Sequence, residues 1–346
     1  MKILEIHGFT TWANDYEGEH EVIRWLPRNR HKDESGQGKL GEACREGFSL
    51  FGELSTMDVD LIVCAAFGRS YGRGGAFHQV KAMGEKQLVR MVTAMKERAG
   101  APLAIVDITD DLSVHPVNRG LLDSCDCYFK RELPLDVFHS FEALRSPLGR
   151  ASSLKDRLRP RWQGWAAKMA PVPLGCREIE PRVEPIPLAQ REWDVFYAGN
   201  DIAKPRRTGV EDAVRSLADL GFKVWIPEKA LSIDEYLAAM GDARITVSPP
   251  GLGWDCHRHY EAAFVGTVPV TPFPIIQRHA PLLGGEHCVF YDPEKDLAMQ
   301  LAGILRDEPT LERISESGWE HARENLTHAA IFSYVIEETL RRAGGL

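Results

Sequence analysis

Absences narrow this sequence before any motif is read. Its seven cysteines form no CxxC pair and no metal-ligand spacing, so neither a disulfide framework nor a cysteine-held metal is expected. Reduced thiols in a cytoplasmic chain fit that scatter, and Cys125 and Cys127, two apart, read as structural residues of one strand and not as a site. No segment approaches the roughly 20 apolar residues that a membrane span requires. The apolar run that opens MKILEIHGFTTWANDYEGEHE is too short for a secretory signal and meets acidic residues at once. Membrane contact is therefore expected to be peripheral at most. An excess of positive charge is missing too: the formal net charge is −8, which disfavours nonspecific binding to nucleic acid. No GxSxG, HExxH or P-loop sequence occurs, and no internal repeat stands out.

What is present is an ordinary globular composition, 44% hydrophobic and 27% charged, in 346 residues. That length suits two domains at roughly 150 residues each. Charge is uneven: residues 1–190 carry 26 Lys and Arg against 26 Asp and Glu, and residues 191–346 carry 16 against 24. The split supports two domains of different surface character. The short apolar runs KILEIH (2–7), DLIVCAAF (60–67), PLAIVDI (102–108) and CDCYFKREL (125–133) read as strands. EKQLVRMVTAMKERAG (85–100) reads as a helix with Leu88, Met91, Val92 and Met95 on one face and Gly100 as its stop. Residues 145–187 break this rhythm with seven prolines and read as the connection between domains. Alternation resumes with strands in DVFYAG (194–199), FKVWIP (222–227), RITVSPP (244–250), TVPVTPF (267–273) and CVFYD (288–292). Helices are expected at 209–221 and 232–243, the second with Ser232 and Glu235 at capping-box spacing. Such alternation predicts an α/β chain of two doubly wound, Rossmann-like parallel-sheet domains facing a cleft. Ligands of such sheets sit outside the carboxyl ends of the strands.

The densest chemistry lies in SPPGLGWDCHRHYEAAFVGTVPVTP (248–272). Pro249, Pro250, Gly251 and Gly253 make a loop of little side-chain bulk, open to close approach by a ligand. A helix is expected to start between Asp255 and His257, presenting free N–H groups and a partial positive charge to an anion. Arg258, in its first turn, offers a forked contact to a diphosphate. Glu261, three residues on, offers a carboxylate to ribose hydroxyls. Ala262, Ala263 and Gly266 let the helix lie close on its sheet. The competing reading is a solvated helix face with ion pairs among Asp255, Arg258 and Glu261.

The block RHYEAAFVGTVPVTP resembles the nucleotide-sugar signature of GT-B glycosyltransferases, in particular the exostosin-like and spore-maturation-protein-like branches (glycosyltransferase family 1/4-like). Arg258, Glu261, Ala262, Gly266, Pro269 and Val270 fall on that pattern. The likeness covers about 195–300, with DSCDCYFKREL (123–133) as a weaker echo. It implies an acceptor-binding domain at 1–187, a donor domain at 188–327, and a terminal helix, 328–346, crossing back towards the first domain. It further implies a nucleotide-diphosphate sugar of UDP or GDP type as co-substrate, no other cofactor, and a hydroxyl acceptor. The acceptor is open: glycan, lipid-linked, small molecule or nucleic acid. In this reading Arg258 and the helix start hold the diphosphate, Glu261 holds ribose, and Pro250, Gly251, Gly253 and His257 surround them. The sequence departs from the two-glutamate form of the motif, because Gly253 stands eight residues before Glu261. Asp255, Cys256 or His257 would then hold the sugar. YAGNDIAKPRRTG supplies Gly199, Lys204, Arg206 and Arg207, cations for the leaving diphosphate or simply an exposed basic loop. With those cations no metal is expected, and Asp58-Val59-Asp60 reads as charge at a strand entry.

An inverting transfer needs a base for the acceptor's proton. His7, after the first strand, and Asp107, Asp110 and Asp111, after the third, stand where such a base belongs. GRSYGRGG (68–75) reads as a mobile or disordered loop. The stretch 145–168, basic and carrying Trp162 and Trp165, reads as a solvated linker or a surface for a lipid headgroup, glycan or nucleic acid. Two rival functions remain open on these residues: a nucleotide-sugar epimerase on the same plan, and a non-catalytic nucleotide-sugar or glycan-binding module.

Overall fold

The computed structural model describes residues 1–6, 20–25, 52–53, 58–67, 76–145, 153–176, 185–199 and 209–344. It divides into two units, Met1–Val172 with Ile331–Leu346, and Pro173–Ala330. In unit 1 the strands are β1 (Lys2–Ile6), β2 (Glu21–Trp25), β3 (Leu61–Ala65), β4 (Leu103–Asp107), β5 (Cys127–Lys130) and β6 (Met169–Pro171). They form one sheet in the order β2-β1-β3-β4-β5-β6, each pair parallel. All residues of β3, β4 and β5 are buried. Parallel strands covered on both faces need apolar residues at successive positions, which is why these segments read as runs instead of alternating. The helix Ala76–Ala99 begins before the segment that periodicity picks out, and buries Leu88, Val89, Val92 and Met95.

The proline-rich stretch is more structured than its composition suggests. Pro160 occupies the first turn of the helix Pro160–Lys168, where its missing N–H costs nothing. That helix buries Trp162 and Trp165 against Phe141, with ring centroids 5.6 and 5.4 Å apart. β6 then extends the sheet. Both tryptophans are thus core residues, which corrects the reading of them as part of a solvated linker and equally the alternative of a ligand surface. The basic side chains around them are also engaged. Arg145 and Arg159 pair with buried Asp156 at 2.9 and 3.3 Å, Arg157 with Asp136 at 2.7 Å, and Arg161 with Asp123 at 2.5 Å.

Unit 2 contains β7 (Trp193–Phe196), β8 (Val224–Trp225), β9 (Ala243–Val247), β10 (Val268–Pro272) and β11 (Val289–Tyr291). Its order is β11-β10-β9-β7-β8, again parallel throughout. In both sheets the unit's first strand lies inside, with its second on one side and its third on the other. The chain therefore winds outward in two directions, from β1/β3 in unit 1 and from β7/β9 in unit 2. Such a switch of direction opens a crevice at the carboxyl ends of the two strands. Both sheets make the chain α/β with two doubly wound parallel sheets. Among the described residues no helix is long and apolar enough to cross a membrane.

Arg191 fastens unit 2 at the amino end of its sheet. Its buried guanidinium donates to the carbonyls of Ile186, Ala243 and Gly266, each at 2.8 Å. Burial pushes its pKa down to about 10, and Asp242 offsets part of that, so it remains charged near neutrality.

Candidate functional site

The helix His257–Phe264 connects β9 to β10 through the loop 248–256. Cys256 is its N-cap, extended at φ −141°, and the Cys256 side chain makes no capping hydrogen bond. The helix closes with two reverse bonds, Thr267 N–H to Ala262 O at 2.8 Å and Gly266 N–H to Ala263 O at 3.0 Å. This pattern needs a left-handed residue, and Gly266 supplies it at φ +78°. Ala262 and Ala263 are fully buried, so the helix lies close on the sheet as their size predicts.

Arg258 sits at the second helical position and turns its guanidinium across the switch point. One terminal nitrogen donates to Ala198 O beyond β7 and the other to Pro249 O beyond β9, both at 3.3 Å. Its Nε is buried and has no partner among the described residues. The Ser248 hydroxyl, also beyond the end of β9, is likewise buried without a partner there, as is that of Thr246 on the same face. Unsatisfied buried polar groups are rare in folded chains, and here three gather along one strand end and the helix beside it.

Glu261 lies one helical turn past Arg258. Its Oε2 accepts a hydrogen bond from the Tyr236 hydroxyl at 3.2 Å. Tyr236 belongs to the helix Ile233–Gly241, whose capping box is formed: Ser232 Oγ accepts from Glu235 N–H, and the Glu235 carboxylate accepts from Ser232 N–H at 2.8 Å. Burial and the Glu261 charge push the Tyr236 phenol far above its usual range, so it stays protonated and donates. The sequence reading missed Tyr236. Its signal was present in the capped helix just before β9, but Tyr236 and Glu261 are 25 residues apart, and only the fold brings them together.

Other residues of this stretch have different places. Asp255 is buried and accepts from Leu174 N–H at 2.9 Å and from the Tyr260 hydroxyl, so it braces the loop and is not available to hold a sugar. His257 is exposed at the first helical position, its Nδ1 3.4 Å from Gly175 O. Gly253 is buried, Pro250 and Gly251 are half-buried, and Gly199 is exposed. A Cβ at Gly199 would come within 2.2 Å of the Tyr197 hydroxyl oxygen, a close approach that only glycine permits without moving that ring. His259 packs: its Nε2–H donates to Trp254 O at 2.9 Å, and burial pushes its pKa down to about 3. A cavity of about 10 Å³ beside Trp254, His259 and Arg278 has room for one water molecule, not for a nucleotide. Lys204, Arg206 and Arg207 lie outside the described residues, as do His7 and the glycine-rich loop 68–75.

In unit 1 the carboxyl ends of β4 and β5 carry a buried charged group. Asp107 accepts from the Tyr128 hydroxyl at 2.9 Å, from the Thr109 hydroxyl at 2.6 Å and from Lys130 at 3.3 Å. Burial alone would raise its pKa, but the Lys130 ammonium and these donors bring it below the usual value. Asp110 pairs with Arg131, which also donates to Ile108 O at 3.0 Å and so ties down the loop after β4. Asp111 is exposed. Asp60 accepts from Lys2 N–H at 2.7 Å, a bond at the entry of the sheet.

No family model matches the chain, and no curated protein matches it in sequence. Among solved structures, HepE from Anabaena in complex with UDP is similar over 99% of this chain and 100% of its own, at 13% identity and a TM-score of 0.51. The same protein in complex with UDP-glucose is similar over 98% and 99%, at 11% identity and a TM-score of 0.51. A glycosyltransferase from Rickettsia africae ESF-5 is similar over 100% and 99%, at 9% identity and a TM-score of 0.51. The likeness runs the length of the chain, through both parallel sheets, so the chain shares the two-sheet α/β fold of these structures.

Proposed function

We propose that this chain is a glycosyltransferase, moving a sugar from a nucleotide-diphosphate donor of UDP or GDP type to a hydroxyl acceptor. The observation that carries the reading is Arg258, whose guanidinium spans the ends of β7 and β9 at the switch point of unit 2. Beside it stand a helix start to which the Cys256 side chain makes no capping bond and, one turn on, Glu261. A cation and free N–H groups suit the diphosphate, and a carboxylate suits the ribose hydroxyls. The fold shared with HepE, solved with UDP and with UDP-glucose, supports the same assignment. The closer kinship with exostosin-like and spore-maturation-protein-like branches rests on RHYEAAFVGTVPVTP alone.

In this mechanism the leaving diphosphate gathers charge as the glycosidic bond breaks, and preorganised cations stabilise it. Arg258, with Lys204, Arg206 and Arg207 from the sequence that follows β7, supplies them, so the transfer needs no metal. His257, at the first helical position, replaces the missing glutamate as a contact to the donor sugar. Because Asp110 already neutralises Arg131, His7 and Asp111 are the stronger choices for a base on the acceptor.

Calorimetry with UDP and GDP tests the site. Arg258→Ala and Glu261→Ala each remove a charged hydrogen-bonding group, at roughly 1.5–3 kcal/mol, so at least one nucleotide should bind about tenfold more weakly to each variant. Unchanged affinity in both would sink the assignment. Products separate the rivals: sugar joined to an added acceptor supports transfer, an altered sugar on the nucleotide supports an epimerase, and binding without turnover a passive module.

A further inference from the structure

We infer that Tyr236 is a positioning residue that aims the Glu261 carboxylate, and that the pair makes this site select ribose over deoxyribose nucleotides. The inference rests on the reading of Glu261 as the ribose contact. Three observations place the phenol firmly. The capping box fixes the first turn of its helix. Its ring packs edge-on against Phe196, the last residue of β7, at 5.7 Å between centroids. Its hydroxyl donates to Glu261 Oε2 at 3.2 Å.

A glutamate side chain has several rotatable bonds, and ordering it on ligand binding has an entropic cost. The Tyr236 bond fixes one carboxylate oxygen before a ligand arrives. An ionised carboxylate only accepts hydrogen bonds, so the complementary ligand group is a pair of hydroxyl donors, as on ribose. A sugar lacking one hydroxyl offers one donor fewer to a carboxylate that cannot turn away. Sites built around such a group reject the deficient analogue strongly. Tyr236 itself touches neither base nor phosphate in this scheme, so its loss should act on the ribose contact alone.

The test is calorimetry with UDP, GDP and their 2′-deoxy and 3′-deoxy forms on the intact chain and on Tyr236→Phe and Glu261→Ala. Tyr236→Phe keeps the ring on Phe196 and removes only the hydroxyl. The intact chain should favour the ribose form over at least one deoxy form by about tenfold, as expected for one hydrogen bond to a charged group. Glu261→Ala should abolish that preference. Tyr236→Phe should narrow it to about threefold or less while leaving affinity for the deoxy form nearly unchanged. Equal weakening of ribose and deoxy forms by Tyr236→Phe, or no change in their ratio, would overturn the inference and leave the Glu261 assignment standing. Absence of nucleotide binding, or a preference that survives Glu261→Ala, would instead overturn the assignment of Glu261 and the inference with it.

Discussion

At the scale of single residues, burial decides which polar groups of the 248–261 stretch brace the structure and which face outward. Asp255 and Arg258 stand in one short block, yet Asp255 is tied to Leu174, 81 residues away, while Arg258 reaches the strand ends. Sequence spacing placed Arg258 and Glu261 on one helical turn, because a 3.6-residue period needs no knowledge of the rest of the fold. It could not tell that Asp255 is buried or that Tyr236 reaches Glu261, because both facts depend on distant segments. His259 carries a testable consequence of the same kind. Folded, its imidazole stays neutral down to about pH 3. Unfolded, it takes up a proton near pH 6.5. Between those values the unfolded chain binds more protons, so this residue's contribution is intact above about pH 6.5 and is lost as pH falls towards 3. By pH 5 the loss amounts to roughly 2 kcal/mol. Burial and His321 lower the pKa of His287 as well, so the measurement compares two proteins. Urea unfolding at about pH 7 and pH 5 should show the wild type losing roughly 2 kcal/mol more than His259→Phe. Equal losses would mean that His259 is not the acid-sensitive group.

At the scale of elements, most strands of both sheets were legible, because fully covered parallel strands are continuous apolar runs. β2 and β6 were not. β6 has only three residues inside a proline-rich stretch, and β2 is a five-residue edge strand among charged neighbours. The helices Leu297–Arg306 and Glu308–Asn325 were also unread, although Asp296 and Asp307 cap their first turns. The helix His257–Phe264 was legible at both ends, through the Pro-Gly loop before it and Gly266 after it. Gly266 is where that element is most vulnerable. Its φ of +78° is costly for a residue with a side chain, and a Cβ there would lie 2.4 Å from Pro185 Cβ. Gly266→Ala must therefore unwind the helix end or displace the segment carrying Pro185 and Arg191. We expect a loss of roughly 2–4 kcal/mol from the combined strain and overpacking. A fall in melting temperature accompanied by weaker nucleotide binding would match, because the same helix carries Arg258 and Glu261. A variant as stable as the wild type would show that Gly266 is not needed for the turn.

At the scale of the whole chain, unit 1 is completed by residues from the far end of the sequence. Ile331–Leu346 belongs with Met1–Val172, while the intervening Pro173–Ala330 forms its own unit around its own sheet. Arg342 donates to Ala167 O at 2.5 Å and Met169 O at 3.2 Å, and the Tyr334 ring meets Phe129 of β5 edge-on at 5.5 Å. Glu338 pairs with Arg341 and Arg342, whose donors draw its pKa down to about 2, so acid must reach that range before the link weakens. Ile331, Phe332, Val335 and Ile336 are buried in this segment. Each contributes roughly 1.5–3 kcal/mol by burial, so together they rival the 5–15 kcal/mol that typically separates a folded from an unfolded chain. Ending the chain at Ala330 should therefore unfold unit 1 and spare unit 2, whose sheet and Arg191 anchor lie wholly within 173–330. Limited proteolysis with mass spectrometry distinguishes the outcomes. Rapid cleavage within 58–172 beside a protected fragment from 209–330 is the expected result. Equal protection of both units after truncation would show that the terminal helix adds little to unit 1. Cleavage throughout would show that unit 2 does not hold its fold without it.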